Sequence, residues 1–214
     1  MNTRNVFVAG GMAAAVCLTV GALVASTASA ETVELSPGIM APDFTGTTSS
    51  GETVSLSDLE GKTVVLEWTN HDCPFVRKHY DAELANMQGL QADAAAGDVV
   101  WLSVISSAPG KQGHVSAEEA NALSETRSAA PAHVILDESG DIGRLYGAKT
   151  TPHMYVIGAD GELAYNGAID SISSARPRDI PDADPYVEMA LAAVGSGESP
   201  DPDATKPYGC SVKY

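Results

Sequence analysis

The stretch Thr63-Val64-Val65-Leu66-Glu67-Trp68-Thr69-Asn70-His71-Asp72-Cys73-Pro74-Phe75-Val76 joins two kinds of structure at a cysteine. Its first six residues are apolar and β-rich with no clean alternation, which predicts a strand covered on both faces. Glu67 is out of place there and needs a buried partner. A short loop, Thr69 to Asp72, leads to Cys73 and Pro74, and proline suits the first position of a helix. Val76, Tyr80, Leu84, Met87 and Leu90 then recur at spacings of three and four, predicting one apolar stripe on a helix that runs to Gly97-Asp98. Cys73 thus falls at a helix start, where free N–H groups and the positive end of the helix dipole favour a thiolate, the nucleophilic form. Arg77, Lys78 and His79 follow within a turn. They read either as added positive charge for an anion at Cys73 or as solvated surface groups, with His79 structural or exposed. Asn70 and His71 are candidates for hydrogen bonding near the thiol, and a loop-shaping role is the plainer alternative for His71.

Outward from this junction the pattern repeats. Val99 to Ile105 is a second continuous apolar strand. Ser116-Ala117-Glu118-Glu119 has capping-box spacing and opens a helix to about Arg127. His133 to Leu136 reads as a third strand and Ile142 to Tyr146 as a short helix closed by Gly147. Met154 to Ile157 and Glu162 to Tyr165 form a hairpin around Ala159-Asp160-Gly161. Asp184-Pro185 opens a last helix that ends at Gly195. Upstream, residues 42–56 read as a loop or small hairpin turning at Ser50-Gly51, followed by a helical turn over Leu56 to Gly61. The order β-α-β-α-β, hairpin, α describes an α/β layered domain with helices on both faces of a central sheet. Thr150-Thr151-Pro152 stands directly before a strand, where proline is allowed. Residues 195–209, rich in Gly, Pro, Ser and Asp, read as a flexible tail that delivers Cys210.

The chain opens with Arg4, an apolar or small run from Val6 to Val24, and Ala28-Ser29-Ala30 before Glu31. That is the pattern of a cleaved secretory signal over residues 1–30, with an uncleaved anchor as the alternative. Cys17 lies inside it, preceded by Val16 and outside a lipobox, and should leave with it. The chain from Glu31 onward suits one domain with an ordinary core. The whole chain carries a formal net charge of −16, and removal of Arg4 makes it more negative. Such acidity excludes nucleic acid as a ready partner and disfavours anionic membrane surfaces, so no stable membrane insertion is expected after cleavage. Cys73 and Cys210 remain, too few for a disulfide scaffold but able to work in an oxidising exported compartment, expected to be the periplasm. No phosphate loop, nucleotide fingerprint or Ser-His-Asp arrangement stands out, so no cofactor is expected.

Ala41-Pro42-Asp43-Phe44, Leu56-Ser57-Asp58-Leu59-Glu60-Gly61-Lys62, Cys73-Pro74, Asp137 to Gly147, Thr151-Pro152 and Val156 to Gly161 occur here in this order. Together they resemble the redoxin (alkyl hydroperoxide reductase/thiol-specific antioxidant) branch of the thioredoxin superfamily over residues 35–194. Trp68 to Val76 with the terminal Gly209-Cys210-Ser211-Val212-Lys213 is similar to an exported bacterial subgroup of thioredoxin-like proteins. The resemblance implies a thioredoxin fold over 31–194, a central mixed sheet with helices on both faces, and a tail over 195–214. It implies Cys73 as the redox-active cysteine of a thiol oxidoreductase, with Thr151 and a cis Pro152 beside it. Val76 stands where a C-x-x-C motif has its second cysteine, so a local disulfide of the thioredoxin kind is ruled out. Leu66 and Asn70 stand where peroxiredoxins have the Pro and Thr of P-x-x-x-T-x-x-C, and no motif assigns a catalytic arginine, Arg127 and Arg144 being the candidates named for it. On this basis Cys73 is expected to attack a protein disulfide or a peroxide, with Cys210 resolving the product and a thioredoxin-like donor restoring the thiols. Two other readings stay open. Cys73, Cys210, His71 and His153 offer a soft site for copper or zinc, or a Cys73–Cys210 bridge is structural and the domain only binds.

Overall fold

In a computed structural model, which describes residues 1–2 and 35–214, every residue of the strand before the cysteine loop is buried. The signal segment expected over 1–30, with its Ala28-Ser29-Ala30 site, falls outside the described residues apart from Met1 and Asn2. Among the described residues no helix is long and apolar enough to cross a membrane. The elements in chain order are β1 (Thr45–Thr48), β2 (Thr53–Ser55), β3 (Val64–Trp68), α1 (Pro74–His79), α2 (Asn86–Ala96), β4 (Val100–Ile105), α3 (Ala117–Thr126) and β5 (His133–Leu136). They continue with α4 (Asp141–Leu145), β6 (Thr150–Thr151), β7 (His153–Ile157), β8 (Leu163–Gly167), α5 (Tyr186–Gly195) and β9 (Cys210–Ser211). Short 3-10 segments span Leu56–Leu59 and Pro177–Asp182.

The seven-stranded sheet has the order β2-β1-β5-β4-β3-β7-β8. β3, β4 and β5 run parallel, while β1 and β7 join them antiparallel, so the sheet is mixed. β3 lies between β4 and β7 and has no free edge. Its alternate residues feed two separate cores. Val64, Leu66 and Trp68 pack with Leu102, Tyr146 and Tyr155. Val65 packs with Met87, Trp101, Val156 and Val187 under α2 and α5. Each large apolar side chain buried this way contributes roughly 1.5–3 kcal/mol, which is why the strand tolerates a polar loop at its end. The fold is the thioredoxin type expected from the sequence, with β3 aimed at the loop that carries Cys73.

Two local expectations need correction. The long helix predicted from Pro74 to Gly97 is two helices. Asp81 accepts hydrogen bonds from the backbone N–H groups of Glu83 and Leu84 (both 3.1 Å), and Ala85 takes φ 47°. The Asp side chain thus offers the backbone a turn in place of the helix, and Leu84 faces solvent at 40 % exposure instead of joining the stripe. The second correction concerns the tail. Its composition says flexible, yet residues 203–214 are stitched to the domain. Asn166 N–H donates to Asp203 O, and Thr205 N–H to Asn166 O (both 3.1 Å), along the outer edge of β8. β9 pairs antiparallel with β6, matching Thr150 to Ser211 and Thr151 to Cys210. Val212 N–H then donates to Lys149 O at 3.2 Å, and Ala108 N–H to Lys213 O at 2.9 Å. Gly, Pro and Ser content reports the lack of a core-forming run, and it is blind to a segment whose backbone completes sheet edges.

Candidate functional site

Cys73 occupies the cap position before α1 and is fully buried. Its backbone N–H donates to Asn70 O at 3.0 Å, closing the loop after β3, and its carbonyl accepts from Arg77 N–H at 2.9 Å, starting the helix. The thiol donates to the carbonyl of Thr151 at 3.0 Å. Thr151 precedes Pro152 through a cis peptide bond. The same Thr151 is paired with Cys210 in the two-stranded β6–β9 ladder, and its hydroxyl donates to Cys210 O at 3.5 Å. Gly209 fits because it has no Cβ: it sits at φ 135°, and an added carbon would come within 2.1 Å of Thr151 O. The ladder therefore brings together three elements remote in sequence: the start of α1, the cis-proline turn and the chain's C-terminal end. Both cysteines are free thiols, Cys73 enclosed and Cys210 half-buried.

Their acidities are split. Burial works against a Cys73 thiolate. It is outweighed by hydrogen bonds from the Cys210 thiol and from the backbone N–H groups of Cys210 and Val76, which hold Cys73 below the ordinary thiol value. Cys210 is pushed up to about 11, first by burial, then by its hydrogen bond to Cys73 and by the charge there. One thiol of the pair is thus the acid and the other the hydrogen-bond donor, the division a nucleophile and its partner require.

The loop candidates separate. Asn70 is buried, but its amide serves the loop: Oδ1 accepts from Asp72 N–H at 2.9 Å and Nδ2 donates to Gln112 O at 3.1 Å. His71 is partly exposed with Nε2 3.4 Å from Asp72 Oδ1, and its carbonyl accepts from Arg127 at 3.2 Å. Arg127 lies over the Tyr80 ring and Arg144 over the Tyr214 ring, and neither guanidinium bonds a cysteine. His79 takes the structural alternative, buried with both ring nitrogens hydrogen-bonded. Lys78 differs from expectation, being neither solvated nor turned to the thiol. Lys78 is buried on Asp170 (2.8 Å), Ile172 O (3.1 Å) and Tyr208 Oη (3.3 Å), because the end of α1 packs against the loop after β8 and the returning tail. The partner that Glu67 needed is a cluster. Tyr80, Trp101 and Ser103 each donate at 2.9 Å and Gln91 at 3.3 Å, while burial raises its carboxyl above the ordinary range.

The candidate metal ligand His153 has both its nitrogens engaged. Nδ1 accepts from Lys149 N–H at 3.2 Å, which leaves Nε2–H to donate to Asn166 Oδ1 at 2.9 Å. No lone pair remains for a metal, and among the described residues no three His, Cys, Asp or Glu side chains gather as ligands. Sequence reasoning missed Tyr208 and Asp170. A tyrosine two residues before Cys210, the first aromatic after Tyr186, was the available signal.

Residues 37–166 match the AhpC/TSA family. Among solved structures, an uncharacterized conserved protein from Geobacillus kaustophilus superposes with a TM-score of 0.71 at 25 % identity, over 83 % of this chain and 92 % of its own. A hypothetical protein from Sinorhizobium meliloti 1021 gives 0.69 at 21 % identity, over 84 % and 95 %. The thioredoxin domain of a thiol-disulfide oxidoreductase from Bacteroides vulgatus gives 0.50 at 18 % identity, over 69 % and 97 %, and speaks to the fold alone. No curated protein matches the chain in sequence.

Proposed function

We propose that this chain, which belongs to the AhpC/TSA family within the thioredoxin superfamily, is an exported two-cysteine thiol oxidoreductase with Cys73 as nucleophile and Cys210 as resolving thiol. The observation that carries the reading is the β6–β9 ladder, which sets Cys210 opposite Thr151 while Thr151 O accepts from the Cys73 thiol. The Cys73 thiolate attacks one sulfur of a substrate disulfide. A Cys73–S–S–substrate bond forms, and the other substrate sulfur leaves as a thiolate and takes up a proton. Cys210 loses its proton and attacks the Cys73 sulfur. The Cys73–Cys210 bond forms and the second substrate thiol leaves. The substrate disulfide is reduced by two electrons and the cysteine pair is oxidised. An external dithiol, such as a thioredoxin-like donor, returns the pair to thiols by the same exchange in reverse.

Disulfide exchange is preferred to peroxide reduction because the Asn70 amide is spent on its loop and neither Arg127 nor Arg144 reaches the thiols. A peroxide would instead convert Cys73 to a sulfenic acid and release an alcohol or water. Cys210 would then condense with it and release water. Thr151 and Pro152 flank the thiol as the substrate-facing turn, while Asn70 and His71 shape the loop that presents Cys73. Export rests on Arg4, the Val6–Val24 run and Ala28-Ser29-Ala30.

The test uses the purified full chain with a peptide disulfide in one arm and hydrogen peroxide in the other, the cysteines being mapped by mass. The expected result is a Cys73–Cys210 bridge formed faster by the disulfide, with Cys210→Ser trapped as a mixed disulfide on Cys73 and Cys73→Ser inert. Faster turnover of peroxide would make the protein a peroxidase. A bridge that resists a dithiol would make it structural.

A further inference from the structure

Between α1 and the tail lies a buried polar cluster that the exchange chemistry does not use. Lys78 and Asp170 form an ion pair at 2.8 Å, with side-chain exposures of 0 % and 6 %. The Tyr208 hydroxyl donates to Asp170 Oδ1 and accepts from Lys78 at 3.3 Å. Asn86 Nδ2 donates to His79 Nδ1 at 3.0 Å, which leaves His79 Nε2–H to donate to the same hydroxyl at 3.3 Å. Asp170 Oδ1 also accepts from Ile172 N–H at 3.0 Å, and Lys78 uses its remaining proton on Ile172 O at 3.1 Å. The tyrosine ring packs edge-on to Phe75, centroids 5.9 Å apart. A buried lysine and aspartate tolerate little misfit, since each lost partner leaves an uncompensated charge. The cluster is therefore a receptor of fixed geometry for one phenol.

That receptor is built on the helix that begins at Cys73. Lys78 is five residues further on, a rise of about 7.5 Å along α1. On the other chain segment, Tyr208 and Cys210 are two residues apart through the constrained Gly209, an extended reach of about 7 Å. The two spans match, so a tail gripped at Tyr208 brings its thiol level with the thiol at the helix start.

We propose that Tyr208 is a positioning residue of the redox site, whose hydroxyl, held by Asp170 and Lys78, fixes Cys210 beside Cys73. This rests on the two-cysteine reading for its purpose, but not for its measurement. The Tyr208 hydroxyl bonds Lys78, His79 and Asp170 and neither sulfur, so it acts through Cys210, a dependence that a role in general stability would not have.

The experiment follows the pH profile of Cys73 alkylation in the full-length protein and in Tyr208→Phe, each with and without Cys210→Ala. With Cys210 present, Tyr208→Phe is expected to raise the midpoint by about 0.5–1 unit, as the Cys210 hydrogen bond to the thiolate loosens. In the Cys210→Ala background, which keeps the backbone N–H of residue 210 and removes the thiol, the same change should move the midpoint by clearly less. No shift with Cys210 present, or equal shifts in both backgrounds, would overturn the proposal. Should Tyr208→Phe fail to fold, Asp170→Asn, which removes the receptor's charge and keeps its size, is measured in the same two backgrounds and decided by the same results. Mass mapping of the same samples after treatment with the peptide disulfide reads the bridge separately. A parent protein that never forms it removes the proposed function and leaves the alkylation result standing.

Discussion

Cys73 and Cys210 are chemically the same residue made unequal by their surroundings. Hydrogen bonds converge on Cys73 and lower it, whereas burial and the neighbouring sulfur push Cys210 to about 11. Replacing Cys210 with Ala should therefore raise the pH midpoint of Cys73 alkylation, read with iodoacetamide and mass spectrometry, because the Cys210 thiol, the foremost of the hydrogen bonds favouring the thiolate, is removed. Glu67 gives a second expectation. Its carboxyl is raised by burial, so the native state holds that proton to higher pH than the unfolded chain, whose value is near 4.5. At this group the native protein binds more protons in that window, and the stability Glu67 contributes is lost as pH climbs upward from 4.5. Urea titrations across pH should therefore show the stability of the parent protein relative to Glu67→Gln falling as pH climbs above 4.5. At this scale Cys73 could be read from sequence, because strand, short loop and Cys-Pro are local features. The positions of Lys78 and His79 could not. A charged residue on a six-residue helix carries no mark of what packs on it, and their receptor comes from the loop at Asp170 and the tail at Tyr208.

Among elements, the strands were the most readable. β3, β4 and β5 carry continuous apolar runs and fall within a residue of where the pattern puts them, as does α3 behind its Ser116 capping box. The break between α1 and α2 was hidden because the spacing of three and four continues through Leu84, while the turn is set by the side chain of Asp81. β9 was hidden for a different reason. A two-residue strand exists only because β6 offers it an edge and Gly209 lets the backbone approach. Gly209→Ala should therefore unseat β9. A side chain at φ 135° is strained, and its carbon would lie 2.1 Å from Thr151 O. The expected cost is at least about 1–2 kcal/mol in urea unfolding, with faster proteolysis after residue 200 and bridge formation slowed by about tenfold or more. Unchanged proteolysis would show that the ladder does not depend on that close approach.

For the molecule as a whole, two histidines set the response to acid. Burial holds His79 and His153 neutral, each lowered to about 4 from an ordinary 6.5. The folded chain binds fewer protons than the unfolded one in that window. The stability they contribute is complete above pH 6.5 and is lost as pH falls toward 4. Thermal melts between pH 7 and 4 should show a falling midpoint, and His153→Gln should reduce its slope. His153 lies beside the cis-proline turn and His79 beside the tail receptor, so acid should loosen the region around the cysteines early. The mixed sheet and its two cores follow from patterns along the chain, whereas the site is assembled from three distant segments and owes its closure to the C-terminal residues. The most direct measurement oxidises the reduced full-length protein with one equivalent of a peptide disulfide and maps its cysteines by mass over time. The expected course is a transient adduct on Cys73 that gives way to a Cys73–Cys210 bridge, which a dithiol then opens. A stable adduct that Cys210 never resolves, or first attack through Cys210, would contradict the two-cysteine mechanism.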